Sequence, residues 1–362
     1  MNLLQTMRTE RRHVRAAPLW TLFLLLLTVA GRASFAFADP PASSAAVPAL
    51  IDGVTCIGMT VSDLDRAAAF YKDVLTFEEV SRVDASGAAW ERLEGVPWPK
   101  KRIARLKLGD EFIELTEYLR PRGKPFPADS RGNDRWFQHI AIIVSDMDEA
   151  VARLRAKDVR PASKAPQRLP DWNRNAAGIR AFYFRDPDGH YLEILAFPPG
   201  KGQDRWHRTT EKLFLGIDHT AIVVADTQAS LRLYRDMLGF RVVGESENYG
   251  PEQEGLNNVP GAHLRITTLR GTSGPAIEFL EYVHPRDGRP YPAESRPNDL
   301  LYWQTTLLTR STARAEGMMR TAGASFVSSG LVRFDGDAGG FSQAMIVRDP
   351  DGHAMRIVQE IP

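Results

Sequence analysis

The sequence predicts an α+β fold built from four βαβββ units. Three observations carry this: the second half of the chain copies the first, each half contains a shorter repeat, and every copy opens on an apolar strand that runs into a helix start. The four openings are "GVTCIGMTVSD", "WFQHIAIIVSD", "GIDHTAIVVAD" and "LYWQTTLLTRS". One position within them changes chemically from copy to copy, as Cys56, His139, His219 and Gln304.

The larger repeat is read from "EYLRPRGKPFPADSRGNDRWFQH", which returns about 164 positions later as "EYVHPRDGRPYPAESRPNDLLYWQ". "FYKDVL" returns as "LYRDML", and "RDPDGHYLEIL" as "RDPDGHAMRIV". The divide falls in the Pro/Gly/charged stretch "FPPGKGQDRWHRTTEK", giving a first module over 51–198, a linker over 199–213 and a second module over 214–362.

In unit one, a strand rich in β-branched residues is followed by Ser62 as the expected helix cap, with Asp65 in the place of a capping-box acid. Leu64, Ala68, Tyr71 and Leu75 then recur at helical spacing, and "IARLKL" and "EFIELTEY" read as strands. Unit two repeats the order with "QHIAIIVSD", a helix over "MDEAVARLRAK", and the strands "AFYF" and "YLEILAF". The two "DPDGH" stretches read as hairpin turns before each last strand, with His190 and His353 as solvated turn residues. "ADSRGND" and "AESRPND" occur in both halves, which favours a structural role in joining units.

The N-terminus reads separately. A basic segment, the apolar run "LWTLFLLLLTVAG" and small residues around Ala36 and Ala38 follow the order of a secretory signal peptide over 1–38, with a flexible lead-in over 39–50. The apolar run is shorter than the roughly 20 residues a spanning helix needs. Arg11-Arg12 keeps a twin-arginine route open beside the general secretory one. The expectation is an exported protein, periplasmic or secreted, free of the membrane after cleavage.

Net charge is +1, so no field favours nucleic acid or an anionic membrane. The expected partner is a small-molecule substrate, and the composition is compatible with a monomer. Cys56 is the only cysteine, which excludes an internal disulfide and reads most simply as a small buried residue.

The unit order, with a "DPDGH" hairpin before each half's last strand, resembles the vicinal oxygen chelate superfamily. That family includes glyoxalase I, methylmalonyl-CoA epimerase, extradiol dioxygenases and the fosfomycin- and bleomycin-resistance proteins. The resemblance covers almost the whole chain after about residue 50, and it speaks for the fold more than for a reaction.

It implies two inward-facing positions per unit, one on the first strand and one on the last. These are Cys56 and Glu114, His139 and Glu193, His219 and Glu278, and Gln304 and Arg356. Sequential pairing of units splits the histidines between two cups and puts a guanidinium, which ligates no cation, into one of them. Crossed, fused-dimer pairing is the preferred reading. It leaves His139, Glu193, His219 and Glu278 as one intact set, and a degenerate set in which Glu114 can pair with Arg356.

By the same resemblance, the intact set holds one divalent metal, with Zn, Ni, Co, Mn and Fe(II) all open. The leading expectation is glyoxalase I-like isomerase or lyase chemistry through a metal-bound enediolate, with Glu193 as the first candidate base and Glu278 as the second. One alternative is an Fe(II) extradiol-type ring-cleaving dioxygenase, which needs only His139, His219 and one glutamate. The other is a small-molecule-binding protein without catalysis. The loop "QRLPDWNRNAAGIR" is placed to rim the site, offering Arg168, Arg174 and Arg180 to an anionic substrate and Trp172 as an apolar wall; a merely solvated loop is its alternative reading.

Overall fold

The computed structural model describes residues 49–360; the expected signal peptide and nearly all of the lead-in lie outside the described residues. Unit one comprises β1 (Ile51–Val61), α1 (Leu64–Asp73), β2 (Glu78–Ser86), α2 (Ala88–Glu94), β3 (Lys100–Leu108) and β4 (Glu111–Arg120). Unit two has β5 (Gln138–Val144), α3 (Met147–Ala156), the short β6 (Gln167–Arg168), β7 (Arg180–Arg185) and β8 (Tyr191–Ala196). Unit three has β9 (Phe214–Val224), α4 (Thr227–Leu231) running into a π-helical turn, β10 (Arg241–Tyr249), α5 (Pro251–Asn257), β11 (His263–Arg270) and β12 (Ala276–His284). Unit four has β13 (Trp303–Thr309), α6 (Thr312–Thr321), the short β14 (Ser325–Phe326) and β15 (Val332–Arg333), then β16 (Phe341–Arg348) and β17 (Ala354–Glu360).

Two sheets result. One runs β14-β16-β17-β13-β1-β4-β3-β2 and the other β10-β11-β12-β9-β5-β8-β7-β6. The first sheet therefore joins unit one to unit four, and the second joins unit two to unit three. The joints are the opening strands themselves, with β1 antiparallel to β13 and β5 antiparallel to β9. These strands are buried nearly throughout, which is why they read as continuous apolar runs rather than alternating ones.

One large apolar core draws Ile57 and Leu115 from the first sheet and Ile140 and Ile194 from the second, together with Leu64, Tyr71 and Leu154 from the helices. Each such side chain contributes about 1.5–3 kcal/mol on burial. The helix of unit one buries Leu64, Ala68 and Tyr71, with Leu75 just past its end, as its spacing implied, and Ala67 beside them.

Its cap differs from expectation. Asp63, not Ser62, caps α1 by accepting from Arg66 N–H. Ser62 is drawn away by a partner distant in sequence: its backbone N–H and its hydroxyl both donate to Asp188 of the first "DPDGH" hairpin.

The hairpin histidines also depart from expectation. His190 and His353 are buried, not solvated. His190 Nδ1 lies 2.8 Å from Asp186, whose other oxygen accepts three backbone N–H groups of the turn, and His190 Nε2 lies 2.8 Å from Leu300 O. Asp349 and His353 repeat the arrangement. Tyr71 and Tyr234 donate to the two aspartates, so each hairpin is bolted to a helix of the other sheet's unit. The connectors interlock as well, with Asp134 binding Arg289 and Asp299 binding Lys124 N–H, in keeping with a joining role.

The sheets' remaining faces form two cups of unequal fate. The first is packed by Trp90 of α2 with Phe334 and Phe341, and only about 50 Å³ remains beside Cys56. The second keeps a cavity of about 650 Å³.

Candidate metal site

Register brings the four candidate ligands of the open cup together. Across β5 and β9, His139 lies opposite Ala221 and Ala141 opposite His219. Across the parallel pairs, Ala141 lies beside Glu193 and Ala221 beside Glu278. Two rows result: His219–Ala141–Glu193 and His139–Ala221–Glu278. Directly opposed residues share a face about 5 Å apart, and an alanine at the centre of each row leaves the longer side chains room to converge.

Glu193 Oε2 sits 3.2 Å from His139 Nε2 and 3.7 Å from His219 Nε2. Ligand atoms of His139, Glu193 and His219 all lie within 4.8 Å of one another. Glu278 stands at the edge of this trio, its Oε2 3.5 Å from His219 Nε2 and its Oε1 accepting from the Thr268 hydroxyl at 2.9 Å.

Asp218 joins them through a bulge. The pairing skips from Ala141–His219 to Ile142–Ile217, so Asp218 is an extra residue on β9 and lines the cavity beside its neighbour His219. Its carboxylate lies 3.1 Å from His219 Nδ1, and it accepts from Trp206 Nε1 at 3.1 Å and Arg270 at 2.8 Å. Burial alone would raise the Asp218 carboxyl, but His219, Arg270 and Trp206 hold it well below the ordinary range. Burial would likewise lower His219; Glu278, Asp218 and Glu193 instead push it up to about 9.

A divalent cation fits this donor set. Both ring nitrogens of His139 and Nε2 of His219 are buried without a hydrogen-bond partner among the described residues. An orphaned buried nitrogen is costly unless a ligand satisfies it. Three carboxylates also converge there against Arg270 alone, and with Asp218 fixing Nδ1, His219 presents Nε2 as the free lone pair. His139, His219 and Glu193 would hold the ion, with Glu278 within reach.

The filled cup shows the same rows with other chemistry, Cys56–Thr306–Arg356 and Gln304–Gly58–Glu114. Arg356 makes two 2.9 Å bonds to Glu114 and donates to Thr306. Burial pushes the Cys56 thiol up to about 12, leaving it inert.

The rim loop "QRLPDWNRNAAGIR" reaches the cavity with part of its length. Its Leu169, Asn175, Ala176 and Ile179 line the cavity, whereas Arg168, Trp172, Arg174 and Arg180 do not. Arg168 pairs with Asp171, Arg180 with Asp148, and Trp172 stacks on Tyr249 at 4.3 Å. Sequence reasoning missed Asp218, Thr268, Arg270 and Trp206. Only Asp218 carried a signal, as an acid adjoining a candidate ligand in "GIDHTAI".

Fold and site together define a duplicated βαβββ protein in which, among the described residues, one of two cups holds a cluster of two histidines and a carboxylate placed to bind a metal. The chain belongs to the Glyoxalase/Bleomycin resistance protein/Dioxygenase superfamily, whose sequence pattern matches residues 53–194 and 216–357. It is 33% identical over 149 residues to a 2-epi-5-epi-valiolone epimerase of an Actinomyces species, covering 40% of this chain and 79% of that protein. It is 26% identical over 211 residues to glyoxalase I of Saccharomyces cerevisiae, covering 56% of this chain and 60% of that protein. Glyoxalase I from Zea mays shares the fold at a TM-score of 0.51 and 15% identity, covering 85% of this chain and 92% of that one. A putative dioxygenase from Bacillus subtilis does so at 0.54 and 14%, covering 86% of each.

Proposed function

We propose that the protein is a metal-dependent enzyme that moves a proton on the carbon next to a carbonyl, as an isomerase, epimerase or lyase of the glyoxalase type. The observation that carries this is the convergence of two orphaned imidazole nitrogens with the Glu193 and Glu278 carboxylates at the floor of one cavity. Both named enzyme relatives, an epimerase and a glyoxalase I, are consistent with it.

When bound, the divalent cation supplies positive charge that stabilises developing negative charge on the carbonyl oxygen. His139, His219 and Glu193 would hold it. Glu278, the more open carboxylate, takes the proton from carbon as the electron pair shifts toward the carbonyl oxygen. It then returns the proton to the same carbon or to its neighbour. Thr268 steadies Glu278 by hydrogen bonding Oε1, which leaves Oε2 for the proton. Leu195, Leu280 and Ile266 keep water from the reacting carbon.

The test is a pair of variants. Glu278→Gln keeps cation binding near native levels and lowers turnover about 10²–10⁴-fold, the worth of a positioned base. Glu193→Gln loses the cation as well. Equal turnover in Glu278→Gln and native protein would sink the assignment. The compact trio of two histidines and one carboxylate also suits Fe(II), so a second reading is ring-cleaving dioxygenase chemistry. Oxygen uptake with catechols by the Fe(II)-loaded protein would select it.

A further inference from the structure

Asp218 is held from outside the cavity as well as from within it. Ile217, its neighbour at the bulge, donates its N–H to Oε2 of Glu111 at 3.0 Å. Glu111 opens β4 of unit one, so this buried carboxylate reaches across from the other sheet. Its Oε1 accepts from Arg205 Nη1 at 2.6 Å. The Arg205 guanidinium lies 3.8 Å from the centre of the Trp206 ring, both residues standing on the 3-10 turn Asp204–His207 of the linker. Trp206 is the indole that donates to Asp218. Glu111 therefore meets Asp218 by two routes, through the main chain at Ile217 and through Arg205 and Trp206. The seat is close: a Cβ on Gly216 would lie 2.5 Å from Glu111 Oε2 and 2.9 Å from the Trp206 ring.

The repeat separates what the fold needs from what this site needs. Strand β1 of the filled cup carries the same bulge, with Thr55 as the extra residue between Val54 and Cys56. There the start of the strand is met by main chain: Thr272 N–H donates to Asp52 O at 2.6 Å, and Gly53 bridges to Ser273. Glu114 aligns with Glu278, so Pro275 stands where unit one has Glu111, and Thr55 stands where unit three has Asp218. Glu111 and Asp218 thus occur together at the open cup and are both replaced at the filled one. Burying a carboxylate is costly unless it is paired and hydrogen-bonded, and the filled cup forms the bulge without one.

Resting on the metal-site reading above, we propose that Glu111 is a positioning residue of the cation centre: from the opposite sheet it pins the bulge, and so holds the Asp218 carboxylate against His219 Nδ1. Glu111 is outside the cavity lining and acts on the cation only through Asp218 and His219. A fixed Asp218 keeps the His219 ring turned with Nε2 toward the ion.

Glu111→Gln tests this at constant shape. An amide has one acceptor oxygen, so it cannot serve both Ile217 N–H and Arg205. The full chain is titrated with Co²⁺ by calorimetry, and the visible d–d spectrum of the cobalt form is recorded, for native protein, Glu111→Gln, Asp218→Asn and the double variant. Glu111→Gln is expected to bind cobalt about 3- to 10-fold more weakly, at or below the low end of what losing an outer partner costs, with a shifted d–d spectrum. With Asp218→Asn already present, the same substitution is expected to change affinity by less than about twofold, because its route is cut. Native affinity and spectrum in Glu111→Gln overturn the proposal. So does an equal loss in both backgrounds, which would show Glu111 supporting the fold at large and not Asp218. No cobalt bound by native protein, or unchanged binding in His139→Leu, would instead overturn the metal site, and this role with it.

Discussion

Asp218 and His219 are consecutive residues of one strand whose side chains meet, with 3.1 Å between the Asp218 carboxylate and His219 Nδ1. Regular pleating would send them to opposite faces. The bulge at Asp218 puts both into the cavity, where Trp206 and Arg270 fix the carboxylate and the carboxylate fixes the imidazole.

Asp218→Asn is therefore expected to weaken cation binding about 10–100-fold, as loss of such outer partners does. Isothermal titration with Zn²⁺ or Co²⁺ measures it. Trp206→Phe, which removes one of several hydrogen bonds to Asp218, is expected to have the smaller effect. An unchanged affinity in Asp218→Asn would mean that His219 needs no orienting partner.

His139 presents the opposite trade. Both of its ring nitrogens are buried without a hydrogen bond among the described residues, although Nε2 lies 3.2 Å from Glu193 Oε2, so in the cation-free protein the residue is a cost. His139→Leu is expected to leave the cation-free protein as stable as native or about 1 kcal/mol more stable, while abolishing cation binding. Thermal unfolding with and without EDTA reads both effects. A large loss of stability in EDTA would show that His139 is a packing residue first.

The filled cup depends on a buried ion pair. Removing one partner strands the other, so Arg356→Met is expected to destabilise the protein by about 3–5 kcal/mol in urea denaturation. The Arg356 guanidinium, working against burial, holds the Glu114 carboxyl below its ordinary value. The double variant with Glu114→Gln removes the unpaired charge and is expected to recover most of the loss. Cation stoichiometry stays the same in both.

Stability should vary with pH through the hairpin pairs. Burial lowers His190, but Asp186 outweighs it and raises it above 6.5. A raised histidine contributes fully below about pH 6.5 and less as pH climbs through its folded value. Asp186, held low by His190 against its own burial, contributes above about pH 3.8 and loses this as acid protonates it. The stability gap between native protein and His190→Gln is therefore expected to narrow as pH rises above about 6.5, and to narrow again below about pH 4. A gap constant across that range would mean His190 is neutral throughout.

Much of this was legible because the fold repeats. Matching strands in four copies marked His139 and His219 as the changing position of the opening strand, and the family resemblance supplied Glu193 and Glu278, and Glu114 with Arg356, as the last-strand slots. What escaped depends on single backbone irregularities or on partners far along the chain. The bulge that turns Asp218 inward has no signature in an alternating pattern. Ser62 looked like a cap because its true partner, Asp188, lies 126 positions away. His190 looked solvated because "DPDGH" is a turn sequence, whereas the tertiary fold buries that turn against α1 and Leu300. Arg270 and Thr268 sit on a strand whose inward residues vary between units, so no repeat marked them.

The central claim is that one cup works and the other is filled. Crystals of the protein soaked with Co²⁺ and measured by anomalous scattering test it most directly. One cation per chain is expected, bound by His139, His219 and Glu193, and none beside Cys56 and Arg356. A cation in the filled cup, or none in contact with the two histidines at saturating cobalt, would contradict it.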